Sequence, residues 1–449
     1  MRNSLTIEHR KLAELTGLDQ TLRVHGGQQH RKLASFIRRF GQLAPILIDP
    51  DGRIVDGVLV AQVLKDEGYT EAAVVVVTGR SPDELRLIRL ALNRLPQDAG
   101  WNKAVLAKEF RELIDLSFDL ELTGFDAVEI DMSLAIDEPG AGAGEVEDAP
   151  PEPAAGPAVA QVGDLWRLGE HRLVCGDARD PAALARLMDG RQARMMFTDP
   201  PYNVAINGFV AGRGRHREFA MASGEMSQDQ FVGFLTDFLA AATPHLADGA
   251  ILDLCMDWRH SAELLEAIDA VGLTLMNMCV WAKTNAGMGT FYRSQHELVW
   301  IAKHGDGPHI NNFELGQKGR SRSNLWTYRG MNAVGGDRDD LIKLHPTVKP
   351  AALVIDAIKD VSRRGDIVLD PFLGSGTTII AAERTGRRGY GLELDPGYAD
   401  VIIRRFEAET GRAAVLVETD ETFAERQDQL RPPAALMVRA DLGDEAGHD

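Results

Sequence analysis

Short apolar runs and helical stripes alternate along most of this 449-residue chain. Near the start, PILI (Pro45 to Ile48), the turn DPDG and RIVDG (Arg53 to Gly57) predict a strand, a turn and a strand. An apolar-periodic stretch, VLVAQVLKDEGY, predicts a helix, and AAVVVV predicts a buried strand. Helical patterns then fill Ser81 to Leu95, opened by a Ser-Pro-Asp-Glu cap, and Lys103 to Leu116. Further on, apolar runs return at regular intervals: RLVCGD, RMMFTD, AILDLCM, MCVWAK, ELVWIAK, DIVLD and GYGLEL. These strand patterns alternate with helical ones, which predicts a mostly parallel sheet with helices on both faces. After Arg412 there is one strand pattern, AAVLVE, and then a polar, Pro-containing tail expected to be partly disordered.

The clearest break in this patterning is DEPGAGAGEVEDAPPEPAAGPAVAQ, residues 137–161, which has no basic or aromatic residue. It cannot bury enough apolar surface to offset its ordering entropy, and proline with repelling carboxylates predicts an extended linker. The expected organisation is therefore a small α/β module at 1–136, a linker at 137–161, a larger domain at 162–412 and a tail at 413–449. Three widely spaced cysteines, Cys175, Cys255 and Cys279, offer neither a disulfide framework nor a metal site, which fits a reducing cytoplasm. The N-terminus lacks the apolar core of a signal peptide, and no segment reaches the ~18 apolar residues of a membrane span. A net charge of −18 argues against a protein that coats nucleic acid by bulk charge, yet it allows an enzyme with one basic cleft.

Two strand ends carry candidate chemistry. The segment DIVLDPFLGSGTT ends a buried strand at Asp370, turns through Gly374, Ser375 and Gly376, and opens a helix at Thr377. The next strand ends at Glu393, 19 residues after Gly374. Glycines permit close approach of backbone to a ligand, and an acid at the second strand end can grip a ribose diol. A Walker loop is excluded because G-K-[ST] is missing, and Ile379 at the third glycine position makes a poor NAD fingerprint. A ligand with a diol and no pyrophosphate remains, S-adenosylmethionine being the obvious candidate; the plain alternative is a tight strand-to-helix turn. The candidate cofactor residues here are Asp370, Phe372, Gly374, Ser375, Gly376, Thr377 and Glu393.

The second strand end is RMMFTDPPYNV, where Asp199, Pro200, Pro201 and Tyr202 follow a buried run. Consecutive prolines stiffen the loop and hold an acid and an aromatic at the carboxyl edge of the sheet. Methylation of an exocyclic amine on a heterocycle needs such a set. The delocalised nitrogen must be drawn towards tetrahedral geometry, which Asp199 and the Pro200 carbonyl can do by accepting its hydrogens, while Tyr202 stacks on the ring. A base inside a duplex must be flipped out to reach them. Alone, the segment could be a Pro-rich turn after a core strand.

Together these blocks resemble the permuted, beta-type class of amino-group DNA methyltransferases over about residues 162–412, in which the DPPY block precedes the glycine block. CGDARD resembles the family's early G-D block and implies that Asp177 lies near the cofactor adenine. VWAKTNAGMGTFYRSQHELVWIAK looks like the W-x-K…R…H-E stretch, although Glu297 there could be a solvated strand residue and Trp281 and Trp300 core residues. HPTVKP (His345 to Pro350) resembles the H-P-T-x-K-P block and implies that Thr347 and Lys349 lie by the methionine end of the cofactor. The resemblance implies an α/β fold, a Rossmann-like S-adenosylmethionine-dependent methyltransferase sheet, with no metal. The first ~130 residues resemble the ParB/sulfiredoxin-like N-terminal domain, but Gly57-Val58-Leu59-Val60 lacks the arginine of nucleotide-binding ParB domains, and the absence of cysteine excludes sulfiredoxin chemistry. An accessory DNA- or protein-docking module is expected.

Basic stretches flank the proposed pocket: Arg213, Arg215 and Arg217 in one, Lys318, Arg320, Arg322 and Arg329 in the other, the latter with Trp326 and Tyr328 interleaved. They suit phosphate contacts and base stacking on double-stranded DNA, and residues 305–344 sit where the family carries its target-recognition region. The expected function is site-specific transfer of methyl from S-adenosyl-L-methionine to a flipped base, adenine N6 first and cytosine N4 second. RNA or protein-glutamine methylation and a non-catalytic ParB-like DNA-binding factor are the competing readings. A homodimer and a partner restriction endonuclease or DNA-maintenance factor are compatible with the family.

Overall fold

Continuous apolar strands need cover on both faces, and the helical stripes between them supply it. The computed structural model describes residues 6–17, 22–23, 25–116, 118–135, 156–204, 224–284, 291–313, 322–328 and 349–430. Two compact units divide the chain, Met1–Ala143 and Gly144–Asp449. Among the described residues, no helix is long and apolar enough to cross a membrane.

The first unit contains β1 (Ile7–Lys11), α1 (Gly27–Phe40), β2 (Ile46–Ile48), β3 (Ile54–Asp56), α2 (Val58–Asp66), β4 (Glu71–Val76), α3 (Pro82–Arg94), α4 (Lys103–Asp115) and α5 (Ala127–Ala135). Its sheet runs β1-β4-β2-β3. The predicted strand-turn-strand is the antiparallel pair β2/β3, and β4 lies parallel to β2. Ser81 caps α3 as its sequence predicts: its hydroxyl accepts from the Glu84 amide while the Glu84 carboxylate accepts from the Ser81 amide. Ile37, Ile46, Val63, Leu64 and Val74 form the core of this unit.

The second unit contains β5 (Leu165–Leu168), β6 (His171–Cys175), α6 (Pro181–Met188), β7 (Ala193–Thr198), α7 (Gln228–Ala242), β8 (Leu246–Met256), α8 (Ser261–Ala270), β9 (Thr274–Lys283), β10 (His296–Lys303), β11 (Leu325–Tyr328), α9 (Ala351–Val361), β12 (Ile367–Asp370), α10 (Thr377–Thr385), β13 (Arg388–Glu393), α11 (Pro396–Thr410), β14 (Val415–Leu416) and α12 (Phe423–Leu430). One ten-stranded sheet runs β11-β9-β10-β8-β7-β12-β13-β6-β5-β14. Its middle, β8-β7-β12-β13-β6, is parallel throughout. The flanks are mixed: β10 runs antiparallel to both β8 and β9, and β5 runs antiparallel to β6 and β14. The sheet is thus parallel in its middle, whereas β9 and β10, which the alternation also assigned to a mostly parallel sheet, pair antiparallel.

Alternate residues of each central strand face opposite helical layers, as the pleat requires. Met196, Leu252 and Leu369 meet Leu184, Phe231, Phe238 and Leu264 of α6, α7 and α8. Met195, Phe197 and Val368 meet Leu353, Val354 and Ile358 of α9 on the other side. Val159 and Ala160, at the end of the predicted linker, are buried, and their amides donate to the Asp400 carboxylate at 3.0 and 2.8 Å. Likewise β14 and α12 lie in the predicted tail, where Phe423 packs edge-on against Trp166 at 5.6 Å. The remainder of both segments, 136–155 and 431–449, lies outside the described residues.

Candidate active site

In the parallel middle of the sheet, β7, β12, β13 and β6 all end on one edge, and each is followed by a predicted block. Two of the blocks are joined directly. The Thr198 hydroxyl, at the end of β7, donates to Asp370 Oδ1 at 3.0 Å, at the end of β12. Asp370 also accepts from the Phe372 amide (3.0 Å) and the Thr378 hydroxyl (2.6 Å). Burial pushes its carboxyl up to about 6 despite these three donors. Asp370, expected to bind cofactor, thus spends three acceptor positions on protein donors and ties the two loops together.

The turn after β12 needs its glycines. Gly374 and Gly376 adopt φ of +54° and +83°, a region strained for other residues. A Cβ on Gly374 would meet nothing within 4 Å, so this corner faces open space. Below the turn, a Cβ on Gly391 of β13 would lie 2.5 Å from the Asp370 carbonyl oxygen, so β13 can pass only because it carries glycine there. The Arg405 guanidinium of α11, which the sequence did not single out, donates to the Ser375 carbonyl oxygen at 2.9 Å and reaches its hydroxyl at 3.3 Å and that of Thr377 at 3.4 Å. Ser375 and Thr377 are thus held from behind. Phe372 packs edge-on to Phe238 at 5.0 Å, on the α7 face.

Glu393 sits at the end of β13, beside this turn. Each of its oxygens accepts one backbone N–H, from Gly374 and from Asp395, both at 2.9 Å. Burial pushes its carboxyl up to about 8. Among the described residues no cation pairs with it, so the carboxylate form has spare acceptor capacity for incoming hydroxyls. Next along the edge, the amide after β6 donates to the Glu393 carbonyl oxygen (Gly176 N–H, 2.9 Å) and leads to Asp177. Asp177 accepts from the Arg179 guanidinium at 2.7 and 3.1 Å, which holds its carboxyl below the usual range.

At the end of β7 lies the densest cluster of charge. The Lys349 ammonium donates to Asp199 Oδ2 at 2.5 Å and to the Tyr202 hydroxyl oxygen at 3.1 Å, and pairs with Glu297 Oε2 at 2.9 Å. The Tyr202 hydroxyl donates to the other Asp199 oxygen, and the Lys283 ammonium donates to Glu297. Burial disfavours the Lys349 cation, but the two carboxylates outweigh it and hold the group protonated. Burial also disfavours the Glu297 anion, yet Lys349 and Lys283 bring it down to about 2. Asp199 is moved the other way, upward, because burial and the Glu297 charge exceed the pull of Lys349. The Trp281 ring lies 4.7 Å from Lys283 Nζ and 5.8 Å from Lys349 Nζ, so this core tryptophan also walls the pocket.

Several features of this cluster differ from the sequence reading. Glu297, open there to a solvated strand position, is an inward-facing member of the cluster. Lys349, expected near the cofactor's methionine end, stands on Asp199. Asn203 escaped notice: at φ +53° it accepts from the Gly224 and Met226 amides (3.1 and 3.2 Å) and donates to the Met226 carbonyl (2.9 Å), which closes the loop. Phe291 and Tyr292, between β9 and β10, are 88% and 82% exposed and were also missed.

Among the predicted DNA contacts, Arg322 is corrected. It donates to Asp360 at 2.8 Å and to the Tyr328 hydroxyl oxygen at 2.9 Å, and it lies 5.1 Å over Trp326. Trp326 is buried, and Tyr328 donates to Asp356 at 2.6 Å. This trio fastens the edge strand β11 to α9 and is not free for phosphates or bases. Arg213, Arg215, Arg217, Lys318, Arg320, Arg329 and Thr347 lie outside the described residues. No cluster suited to a metal ion occurs among the described residues.

Residues 193–404, which span both loops, match a DNA methylase family, the N6/N4 methylases. The chain carries a DNA methylase domain of the N6/N4 family. The methylase is 26% identical over 227 residues to type II methyltransferase M2.DpnII of Streptococcus pneumoniae, covering 48% of this chain and 82% of the relative. It is 25% identical over 221 residues to M2.MboI of Moraxella bovis, covering 47% and 80%. PvuII DNA methyltransferase (cytosine-N4-specific) aligns structurally at 17% identity over 60% of this chain and 93% of that one, with a TM-score of 0.41. Residues 104–162 of the methylase match the ParB-methyltransferase HTH domain, a match that takes in α4 from its second residue, contains α5 and runs on across the segment predicted as linker.

Proposed function

We propose that this methylase transfers a methyl group to the exocyclic N6 amine of a flipped adenine in double-stranded DNA, with S-adenosyl-L-methionine as donor. The reading is carried by one observation: the Asp-Pro-Pro-Tyr loop and the glycine turn leave adjacent parallel strands on the same sheet edge, tied by Thr198 and Asp370. Glu393, with spare acceptor capacity, suits the ribose diol; Gly374 leaves room for close approach; Asp177 borders the same end of the sheet. Bound there, the donor would supply a sulfonium methyl; as the amine nitrogen bonds that carbon the C–S pair returns to sulfur, and the proton the nitrogen then sheds passes to Asp199, which already accepts that N–H.

The chain's own residues prepare that nitrogen. Asp199 accepts an N–H of the amine, the Pro200 carbonyl accepts the other, and the lone pair is thereby localised on nitrogen. Tyr202, locked by Asp199 and Lys349, offers a ring face to the base and fixes its plane. Asp at the first position of the block, with no Asn or Ser there, favours adenine. The helix-turn-helix match at 104–162 suits a module that docks DNA. Expression in methylation-free bacterial cells followed by base-resolved sequencing tests the reading. N6-methyladenine at one short motif is expected; N4-methylcytosine would replace adenine, and unmodified DNA from folded protein would overturn the activity.

Glu393 gives the donor affinity a pH dependence of defined sign. Without ligand its carboxyl holds a proton up to about pH 8, whereas a diol donating two hydrogen bonds favours the anion. Binding therefore releases a proton, and affinity rises with pH below 8, by up to about tenfold per unit at the steepest. Calorimetry in buffers of different ionisation enthalpy measures that proton. In Glu393→Gln the dependence disappears and affinity falls by about tenfold.

A further inference from the structure

Of two linked groups in the pocket, Glu297 has no task in the reaction set out above and Lys349 has only that of locking Tyr202. Glu297 lies at the start of β10, and Lys349 lies just before α9 with only 6% of its side chain exposed. Lys349 Nζ stands 2.5 Å from Asp199 Oδ2, 2.9 Å from Glu297 Oε2 and 3.1 Å from the Tyr202 hydroxyl oxygen. The second Asp199 oxygen already accepts from Tyr202. Each oxygen keeps a second lone pair, but the ammonium neutralises the carboxylate and weakens it as an acceptor for the target amine. A buried ammonium does not leave a carboxylate unless another anion receives it. Glu297 is that anion: it is within reach of Lys349 and is itself anchored by Lys283.

We propose that Glu297 is a positioning residue that draws Lys349 off Asp199 as the target amine arrives, so that Asp199 accepts the amine N–H with its charge no longer neutralised. The proposal rests on the reading of Asp199 as the amine acceptor. Lys349 pivots between two carboxylates that it already touches, so the exchange needs only a small change of its terminal torsions. Lys283 sets how strongly Glu297 competes, because it neutralises part of the same anion.

The charge balance gives the test two arms of opposite sign. Asp199 is faced by Lys349, Glu297 and Tyr202, by Cys255 of β8 and Asp370 of β12, and through Glu297 by Lys283. Glu297→Gln keeps shape but removes the competing anion, so Lys349 stays on Asp199. Under saturating DNA, kcat is expected to fall by about tenfold or more with KM for DNA and cofactor affinity unchanged, and the acid limb of the kcat–pH profile to move to lower pH. Lys283→Met leaves Glu297 with Lys349 alone, loosens Lys349 from Asp199, and moves the acid limb to higher pH. A parental kcat in Glu297→Gln, or limbs that stay put or move together, overturns the proposal. If Glu297→Gln does not fold, Lys283→Met, whose side chain is partly exposed, decides alone: its limb must rise. Activity retained by Asp199→Ala would instead overturn the reading beneath the proposal, whereas an inactive Asp199→Ala with unmoved limbs overturns only the role of Glu297.

Discussion

Asp199→Ala is expected to lower the methyl-transfer rate by about 10²–10⁴-fold while leaving donor affinity unchanged. The substitution removes the acceptor that localises the amine lone pair, but it touches neither Glu393 nor the glycine turn. Lys349 keeps a counter-charge, because Glu297 lies 2.9 Å from it, so the pocket is not left with a stranded buried cation. Single-turnover methylation of a short duplex, beside calorimetry with the donor, separates the two effects. Loss of both together would mean that the loop has collapsed and that Asp199 holds structure. Retained rate would remove it from the chemistry.

Asp370→Ala has the larger effect on stability. It leaves two buried hydroxyls, of Thr198 and Thr378, and the Phe372 amide without their acceptor. Three such losses, partly relieved by water or new partners, cost about 3 kcal/mol, or a Tm lower by about 6–12 °C for a domain of this size. Because the tie between the loops goes with it, methyl transfer should fall even at temperatures where the variant is folded. Asp370→Asn, which can still accept at its amide oxygen, should recover part of the Tm. Equal Tm values for parent and Ala variant, by calorimetric scan, would show that the loops are held together by other contacts.

The blocks legible in the sequence are those whose signals are local. A buried run that stops at an acid, two consecutive prolines, or Gly-Ser-Gly before a helix each declares itself within ten residues. Hence β7, β12 and β13 and the residues at their ends lie where expected. What the sequence hid were partners distant in the chain. Glu297 and Lys283 read as alternating polar positions of two strands, and only the antiparallel pairing of β9 with β10 turns them towards Asp199. Arg322 shows the converse: its charge and its aromatic neighbours were visible, but Asp360, 38 residues on, was not recognisable as the acid that claims it. The edge strand β11 was missed for a related reason. It is four residues long and forms by completing a sheet edge that exists already, so its own propensity hardly registers.

The bond from Thr198 to Asp370 spans 172 residues of chain. At ribosomal speeds of about 5–20 residues per second, roughly 10–30 s pass between synthesis of one partner and of the other. Through that interval the nascent polypeptide displays β7 with one margin bare, a template for wrong pairing that a chaperone would have reason to shield. The same delay is protective. On the proposed reading, a product cut short before Glu393 keeps Asp199 but lacks the acid assigned to the donor's ribose, so a translation accident is expected to yield an inert fragment.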